Sequence, residues 1–464
     1  MPSRIGVAIA TLVAIAIRVP LLFRPLRTDE AATVLYYAAH PLAVGLTVYG
    51  SPNNHVFHTA LVHFALGIFG PAEWAIRLPA LIAGVALVPL AYLAARRLGA
   101  GTGLLTAAIV ATQPIFVDYS TDGRGYTLVC AFTLLATLAA SRIRRDARLC
   151  ARSSGASVTP SEGCGRTAVR PYGFLADWTA VMAFAVSVAL GLWTIPIMIY
   201  PFILLTTWIL FSPQWRVGLA ASVVAVLLTA ALYTPLLIVS GFGAIVSNPW
   251  VRPVPWPEFF GALPHLLSFT WRSWMSALPL PLAVALGVAF IAGAIRARMT
   301  LWVGLLPLLL FVLAQHTIPF PRTWLPLWVL ASVAMGASIP ARAEPVAALL
   351  IAAMLTWCSL RVPRRPETGE LPHVREVARF LAANAAPNDA IGTLAPSDVP
   401  LAFYLDARPL RPDRSARRIF VITNEEFGQF LAKTLLELAL DPRDFTIAKR
   451  ADFGDAAIYQ LDRR

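Results

Sequence analysis

Charge is what this chain has least of. Charged residues make up 14% of its 464 residues, while hydrophobic residues make up 58%. A soluble domain carries about a quarter charged residues, so this chain lacks the polar surface to coat itself in water. Lysine occurs only at Lys433 and Lys449. There are four cysteines, Cys130 and Cys358 in apolar runs and Cys150 and Cys164 in a basic stretch, which is no disulfide framework and no zinc spacing. No half of the chain repeats the other. The first apolar run follows Arg4 as a signal peptide would, yet it contains Arg18 and leads into Phe23-Arg24-Pro25-Leu26-Arg27 without a small-residue cleavage site. It reads as an uncleaved helix.

What is there is a series of apolar runs, near 5–23, 78–95, 101–117, 126–140, 178–193, 195–211, 217–239, 277–295, 301–314, 323–339 and 346–360. They predict an α-helical polytopic membrane protein of about eleven spans, the short ones tilted or extended by flanking residues. Basic residues outnumber acidic ones, 38 against 25, for a net charge of +13. They sit between apolar runs rather than along one amphipathic face, which excludes a nucleic-acid surface and points to lipid. Arg4, Arg96-Arg97, the Arg142–Arg170 stretch, Arg216, Arg296 with Arg298, and Arg342 all fall on one side when the runs alternate. The positive-inside rule makes that side cytoplasmic, with the amino terminus inside a bacterial-type inner membrane. The loop 141–172, rich in Arg, Ser and Gly, reads as mobile.

From about residue 361 the composition turns charged and proline-rich. Val374–Ala385 has the pattern of an amphipathic helix, Phe427–Leu440 reads as a helix, and Ala390–Leu394, Ile419–Thr423 and Ala457–Leu461 read as strands. The organisation expected is a membrane domain over 1–360 and a small α/β domain over 361–464, outside the cytoplasm because the span number is odd.

Most of the candidate chemistry lies on the outer side. The loop 24–77 carries Thr28-Asp29-Glu30, then Asn53-Asn54-His55, His58 and His63, with Val56–Phe69 too short to span and suited to the interface. Asp29-Glu30 is either a solvated acidic pair or a carboxylate placed at the membrane surface for chemistry. The short stretch Asp118–Tyr126 packs Asp122, Arg124, Tyr119 and Tyr126 between two runs, as a helix-capping pair or as the lining of a polar cavity. The loop 240–276 holds Trp250, Trp256, Trp271, Trp274 and Arg272, an aromatic belt or a binding surface. His316 and Arg322 either anchor helix ends or neutralise an anionic head group. A carboxylate can take a hydroxyl proton and guanidinium groups can stabilise a departing phosphate, so acids and arginines on one side suit group transfer from a phospholipid-like carrier.

The residues Asp29-Glu30 after an arginine-bearing first run, Asn53-Asn54-His55, Gly70–Ala80, Arg96-Arg97-Leu98-Gly99, Tyr119-Ser120 and Arg124-Gly125-Tyr126 carry a resemblance. They are similar to the GT-C superfamily of polyprenyl-phosphate-sugar-dependent glycosyltransferases, nearest the protein O-mannosyltransferase and aminoarabinose–lipid A transferase group. The resemblance is dense over the first 130 residues or so, thin beyond, and returns at Phe403-Tyr404-Leu405. It implies an inverting transfer from a polyprenyl-phosphate-linked sugar to an acceptor hydroxyl on a protein, envelope glycan or lipid. Asp29 matches the general base and Glu30 a supporting acid. Asn54, His55, Asp122, Arg124, Tyr126, Arg272, His316 and Arg322 are the candidate substrate contacts, Arg124 foremost for phosphate. The sequence departs from the group at Val56, where proline is common, and at Thr323-Trp324, where Arg322 lacks a following tyrosine. No metal or cofactor is expected, since His55 and His58 alone are too few ligands. A multi-span lipid or solute transporter is the rival class, and the missing repeat counts against it.

Overall fold

The computed structural model describes residues 2–154, 171–246, 251–275, 277–296, 303–361, 369–371, 373–406, 410, 416–454 and 456–464. Cys164, Trp250, Arg298 and most of the basic stretch before Arg170 lie outside the described residues, although the helix Tyr126–Ser154 carries the chain well into that stretch. Two compact units emerge: residues 1–21, 46–58 and 77–362 form the first, and residues 22–45, 59–76 and 363–464 the second.

The first unit is helical. Among the described residues, Arg4–Phe23, Glu73–Leu98, Tyr126–Arg144 and Trp215–Val246 are long and apolar enough to cross a membrane, and the bent pair Trp256–Met275 and Leu280–Arg296 makes a fifth if taken as one span. Other apolar runs fold as shorter helices, among them Trp178–Thr194, Pro196–Leu210, Leu305–Gln315 and Glu344–Ser359. Leu219, Val223, Val226, Leu227, Ile238 and Val239 stand exposed along Trp215–Val246. An apolar face of that extent suits hydrocarbon, and the chain is a multi-pass membrane protein.

The run 101–117 is not one helix. Leu104–Thr112 stops at Gln113, whose backbone is extended, and Pro114–Ser120 starts anew. Pro114 has no amide hydrogen and disfavours a helical Gln113, so the break is written in the sequence. The carbonyls it releases are all taken by side chains. The buried Arg18 guanidinium donates to Val110 O at 3.2 Å and Ala111 O at 2.6 Å, and Ser359 Oγ donates to Thr112 O at 2.5 Å. Trp328 Nε1 donates to Gln113 Oε1 at 3.1 Å. Irregular backbone at membrane depth survives only when satisfied in this way. At the other end, the buried Glu344 carboxylate accepts from the amides of Thr102 (2.6 Å) and Leu105 (3.1 Å), capping Leu104–Thr112 from a distant segment.

The second unit holds a four-stranded sheet. Strands β1 (Ala390–Gly392), β2 (Arg418–Asn424), β3 (Phe445–Asp452) and β4 (Ala456–Arg463) are ordered β1-β2-β4-β3, with β1 parallel to β2 and the other pairs antiparallel. Alternation along β2 sends Phe420 and Ile422 to one face, with Val377 and Leu381 of the helix Val374–Asn384, and Ile419 and Val421 to the other, with Leu435 and Phe445. The segment 22–38 packs in this unit as well: Leu26, Ala31 and Val34 share a buried cluster with Val62, Ile76, Val399 and Phe403.

Two local readings change. Phe427–Leu440 is not one helix: Gly428 turns with φ +65°, Gln429 pairs with Asn424, and the helix runs only over Leu431–Glu437. Strand β3 escaped the pattern because a register shift between Lys449 and Ala451 breaks its alternation.

Candidate functional site

In the first unit, a tight turn between Pro114–Ser120 and Tyr126–Ser154 presents Asp122, Arg124 and Tyr126, all buried, to the buried Asn54-His55. The turn folds on itself, with the Arg124 amide donating to Asp122 O at 2.6 Å. His55 sits against it. The Gly125 amide donates to His55 Nδ1 at 3.0 Å, and Arg124 Nη2 lies 3.1 Å from His55 Nε2. The ring meets Tyr126 edge-on at 5.3 Å, the Arg124 guanidinium lies 5.6 Å over the Tyr126 ring, and Tyr119 meets Tyr126 at 5.0 Å. Asn54 Nδ2 donates to Val48 O at 2.8 Å, holding the approach to His55.

Gly125 is the residue that allows this packing. A Cβ there would lie 2.5 Å from Thr194 Cγ2, 3.3 Å from His58 Cβ and 3.4 Å from His55 Cβ. Because the Gly125 amide donates to Nδ1, that nitrogen must keep its lone pair; the neutral ring then carries its proton on Nε2, beside Arg124, and an imidazolium would lose the Gly125 bond. Burial pushes the His55 pKa well below its ordinary value, and the charges of Arg124, His58 and Arg322 add to this. The result is a buried polar cluster in which Asp122, Arg124 and His55 lie together beside Tyr126.

The remaining basic candidates divide. Arg322, on the short 3-10 turn Pro321–Trp324, stacks over Phe320 at 4.2 Å and acts on His55 through its charge. His316 is occupied elsewhere: its Nδ1 lies 2.7 Å from Val254 O and its ring 4.9 Å from Trp256, beside the bridge Pro253–Thr317. Arg272 is exposed and donates to Ser268 O of its own helix at 3.4 Å. Neither joins the His55 cluster. Among the described residues, no three His, Cys, Asp or Glu side chains group as metal ligands.

The acidic pair lies in the second unit, on the short helix Thr28–Thr33. Glu30 is buried, and its Oε2 accepts from the Arg27 amide at 2.9 Å, so this carboxylate caps its own helix. Asp29 is partly exposed in the first turn, and its carbonyl accepts from Thr33 Oγ1 at 2.9 Å. Adjacent acids thus have different places, one turned to structure and one to the surface. Sequence reasoning missed the neighbours that hold this segment. Glu73 Oε1 accepts from Tyr404 Oη at 2.8 Å and from Arg375 at 2.6 Å, and Tyr404 Oη accepts from the Leu26 amide at 3.1 Å. Glu73 and Tyr404 were visible in the resembling motifs, but nothing in their spacing pairs them.

Comparison with known proteins adds to this geometry. Residues 54–152, which include His55, Asp122, Arg124 and Tyr126, match the family model of the dolichyl-phosphate-mannose-protein mannosyltransferases. None of the curated proteins compared matches the chain. Among solved structures, apo ArnT from Cupriavidus metallidurans is 15% identical with a TM-score of 0.51, covering 98% of this chain and 97% of that one. The same ArnT bound to undecaprenyl phosphate aligns over the same shares at 15% identity and a TM-score of 0.48. The apo oligosaccharyltransferase of Archaeoglobus fulgidus is 12% identical with a TM-score of 0.52, covering all of this chain and 74% of that one. At these identities the likeness is one of fold. The fold and the matching segment together support the GT-C superfamily resemblance read from the sequence.

Proposed function

We propose that this chain is a membrane glycosyltransferase that moves a sugar from a polyprenyl-phosphate donor to an acceptor hydroxyl at the outer face of the inner membrane, inverting the anomeric carbon. Asp29 takes the hydroxyl proton as the acceptor oxygen attacks, and polyprenyl phosphate leaves. Arg124 stabilises the negative charge gathering on that phosphate, with its guanidinium packed against Tyr126 and His55, and Arg322 adding charge.

The observation that carries this reading is the division of labour between neighbouring acids. Glu30 is buried and spends its carboxylate on the Arg27 amide, while Asp29 stands partly exposed on the first helical turn. A base must reach solvent or substrate, and the partly exposed Asp29 suits that role better than the buried Glu30. The transporter alternative draws on broken helices, and Gln113 does break one. The carbonyls freed there are already satisfied by Arg18 and Ser359, which makes the break a packed feature rather than an ion site.

The test is transfer and donor binding measured on one nanodisc preparation with a polyprenyl-phosphate sugar. Asp29→Asn keeps the shape and removes the base, so binding persists while transfer falls by ~10²–10⁴-fold. Wild-type turnover in Asp29→Asn removes the mechanism. Transport of the lipid without any transfer supports the rival class.

A further inference from the structure

The segment that carries Asp29 takes several of its hydrogen bonds from residues more than three hundred positions away. Leu26 donates its amide to Tyr404 Oη across 378 residues of sequence. Arg375 Nη2 donates to Phe23 O at 2.6 Å while the same guanidinium grips Glu73, and Tyr404 donates to that same Glu73 oxygen. On the other side of Leu26, the Thr28 amide donates to Gly369 O at 3.0 Å and Thr28 Oγ1 donates to Pro396 O at 2.7 Å. Gly369 has φ +65°, and a Cβ there would stand 2.8 Å from Thr28 Oγ1 and 2.6 Å from Pro396 Cβ. The position accepts only glycine because the two strands of chain approach so closely.

We infer that Tyr404 and Thr28, with Glu73 and Arg375 behind Tyr404, are positioning residues for Asp29, so that the chain beyond residue 363 sets the geometry of the base. This rests on the glycosyltransferase reading above. The helix bearing Asp29 begins at Thr28, immediately after the anchored stretch, so both the start and the direction of that helix are fixed from the distant side. Burial first, and then the Glu73 carboxylate, push the Tyr404 phenol above its ordinary value. Tyr404 therefore keeps its proton at all working pH values and serves at once as donor to Glu73 and acceptor from Leu26. Phenylalanine can do neither, and it would leave the Leu26 amide without its bond.

A base displaced by about an ångström loses rate far more than affinity, because the hydroxyl proton must be met at hydrogen-bond distance. Donor binding by the first unit does not depend on that distance. The prediction is therefore a split between kcat and donor affinity, which loss of folding would not give.

The experiment uses the full chain in nanodiscs, with Tyr404→Phe and Thr28→Val made singly and Asp29→Asn prepared beside them. Hydrogen exchange of the peptide covering 24–33, donor binding, transfer kinetics and thermal stability are measured on each. The expected result is faster exchange over 26–28, kcat lowered about tenfold, and donor affinity changed less than twofold. Arg375→Lys, which keeps the charge, is expected to lose less than Arg375→Ala. Faster exchange with unchanged kcat in both Tyr404→Phe and Thr28→Val overturns the proposal. So does a parallel fall of kcat, binding and melting temperature, which marks a purely structural role; Thr28→Val, nearly isosteric, decides this if Tyr404→Phe fails to fold. Wild-type turnover in Asp29→Asn instead overturns the functional reading, and exchange alone then reports whether the anchoring holds.

Discussion

The two regions that carry the candidate chemistry are built in opposite ways. The His55–Arg124–Tyr126 cluster is buried, and its direct contacts join residues within about seventy positions of one another. Asp29 is partly exposed, and the segment that carries it bonds to side chains and carbonyls 352 to 378 positions distant. A permanent charge such as Arg124 gains from burial among fixed partners, since it must be ready before the phosphate arrives and need not move. On the proposed mechanism a base must meet a mobile acceptor, which suits the partly exposed Asp29 and a position set by the chain behind it. Under the proposed function the difference would separate a region that binds from one that reacts.

The sharpest way to break that comparison is to exchange the expected effects. Asp29→Asn should abolish most transfer and spare binding, whereas Arg124→Ala should weaken donor binding itself. A charged hydrogen bond to phosphate is worth about 1.5–3 kcal/mol, or roughly ten- to over a hundredfold in affinity. Titration of donor analogue against both variants separates the roles. Intact binding in a folded Arg124→Ala moves the phosphate contact to Arg322. Glu30 offers an internal control. Glu30→Gln keeps an oxygen for the Arg27 amide and should cost little transfer, while Glu30→Ala loses the cap, at about 0.5–2 kcal/mol of stability. Equal losses in Asp29→Asn and Glu30→Gln would blur the division between the two acids.

A smaller effect sharpens the packing side. Gly125→Ala places a methyl 2.5 Å from Thr194 and close to both histidines, so overpacking of about 1–3 kcal/mol is expected. Gly67, in the helix Val56–Phe69, has nothing within 4 Å of its would-be Cβ, and Gly67→Ala should be neutral or slightly stabilising. Melting temperatures of the pair check this, and a Gly125→Ala that melts with wild type removes the close-approach account.

The sequence made the first region legible and the second only in part. Apolar runs locate the helices because lipid demands continuous hydrophobicity, and Gln113-Pro114 even carried a readable signal for the break that a hydropathy window averages away. His55, Arg124 and Tyr126 lie in motifs, so their meeting was foreseeable from the resemblance. Arg272 and His316 join the candidates through their place on the outer-side loops, and in the structure each also has a local partner. Glu73, Arg375 and Tyr404 meet through tertiary packing, which leaves no periodicity and no spacing to read. Strand β3 was hidden by its bulge, a local defect that only pairing reveals.

The smallest expected effect tests the electrostatics of the buried cluster by pH. His55 has an ordinary value of 6.5, lowered in the fold first by burial and then by Arg124, His58 and Arg322. In the unfolded chain the ring takes a proton below that value, whereas the folded ring resists it. The unfolded state thus binds more protons as pH falls through 6.5, and stability declines from there until the folded value is reached. The slope contributed by one such group is at most about 1.4 kcal/mol per pH unit. Above pH 6.5 the contribution is fully present and flat. Donor binding should follow the same direction, because an imidazolium has no lone pair for the Gly125 amide and repels the Arg124 guanidinium, the proposed phosphate contact. His55→Gln supplies an amide oxygen that accepts in place of the ring and cannot titrate. Melting temperature and donor affinity are measured for both proteins at pH 7.5 and 5.0. The wild type should lose more than His55→Gln on acidification, the gap between them being the share of this one ring. Parallel losses in both proteins would assign the acid sensitivity to other groups and leave His55 a packing residue.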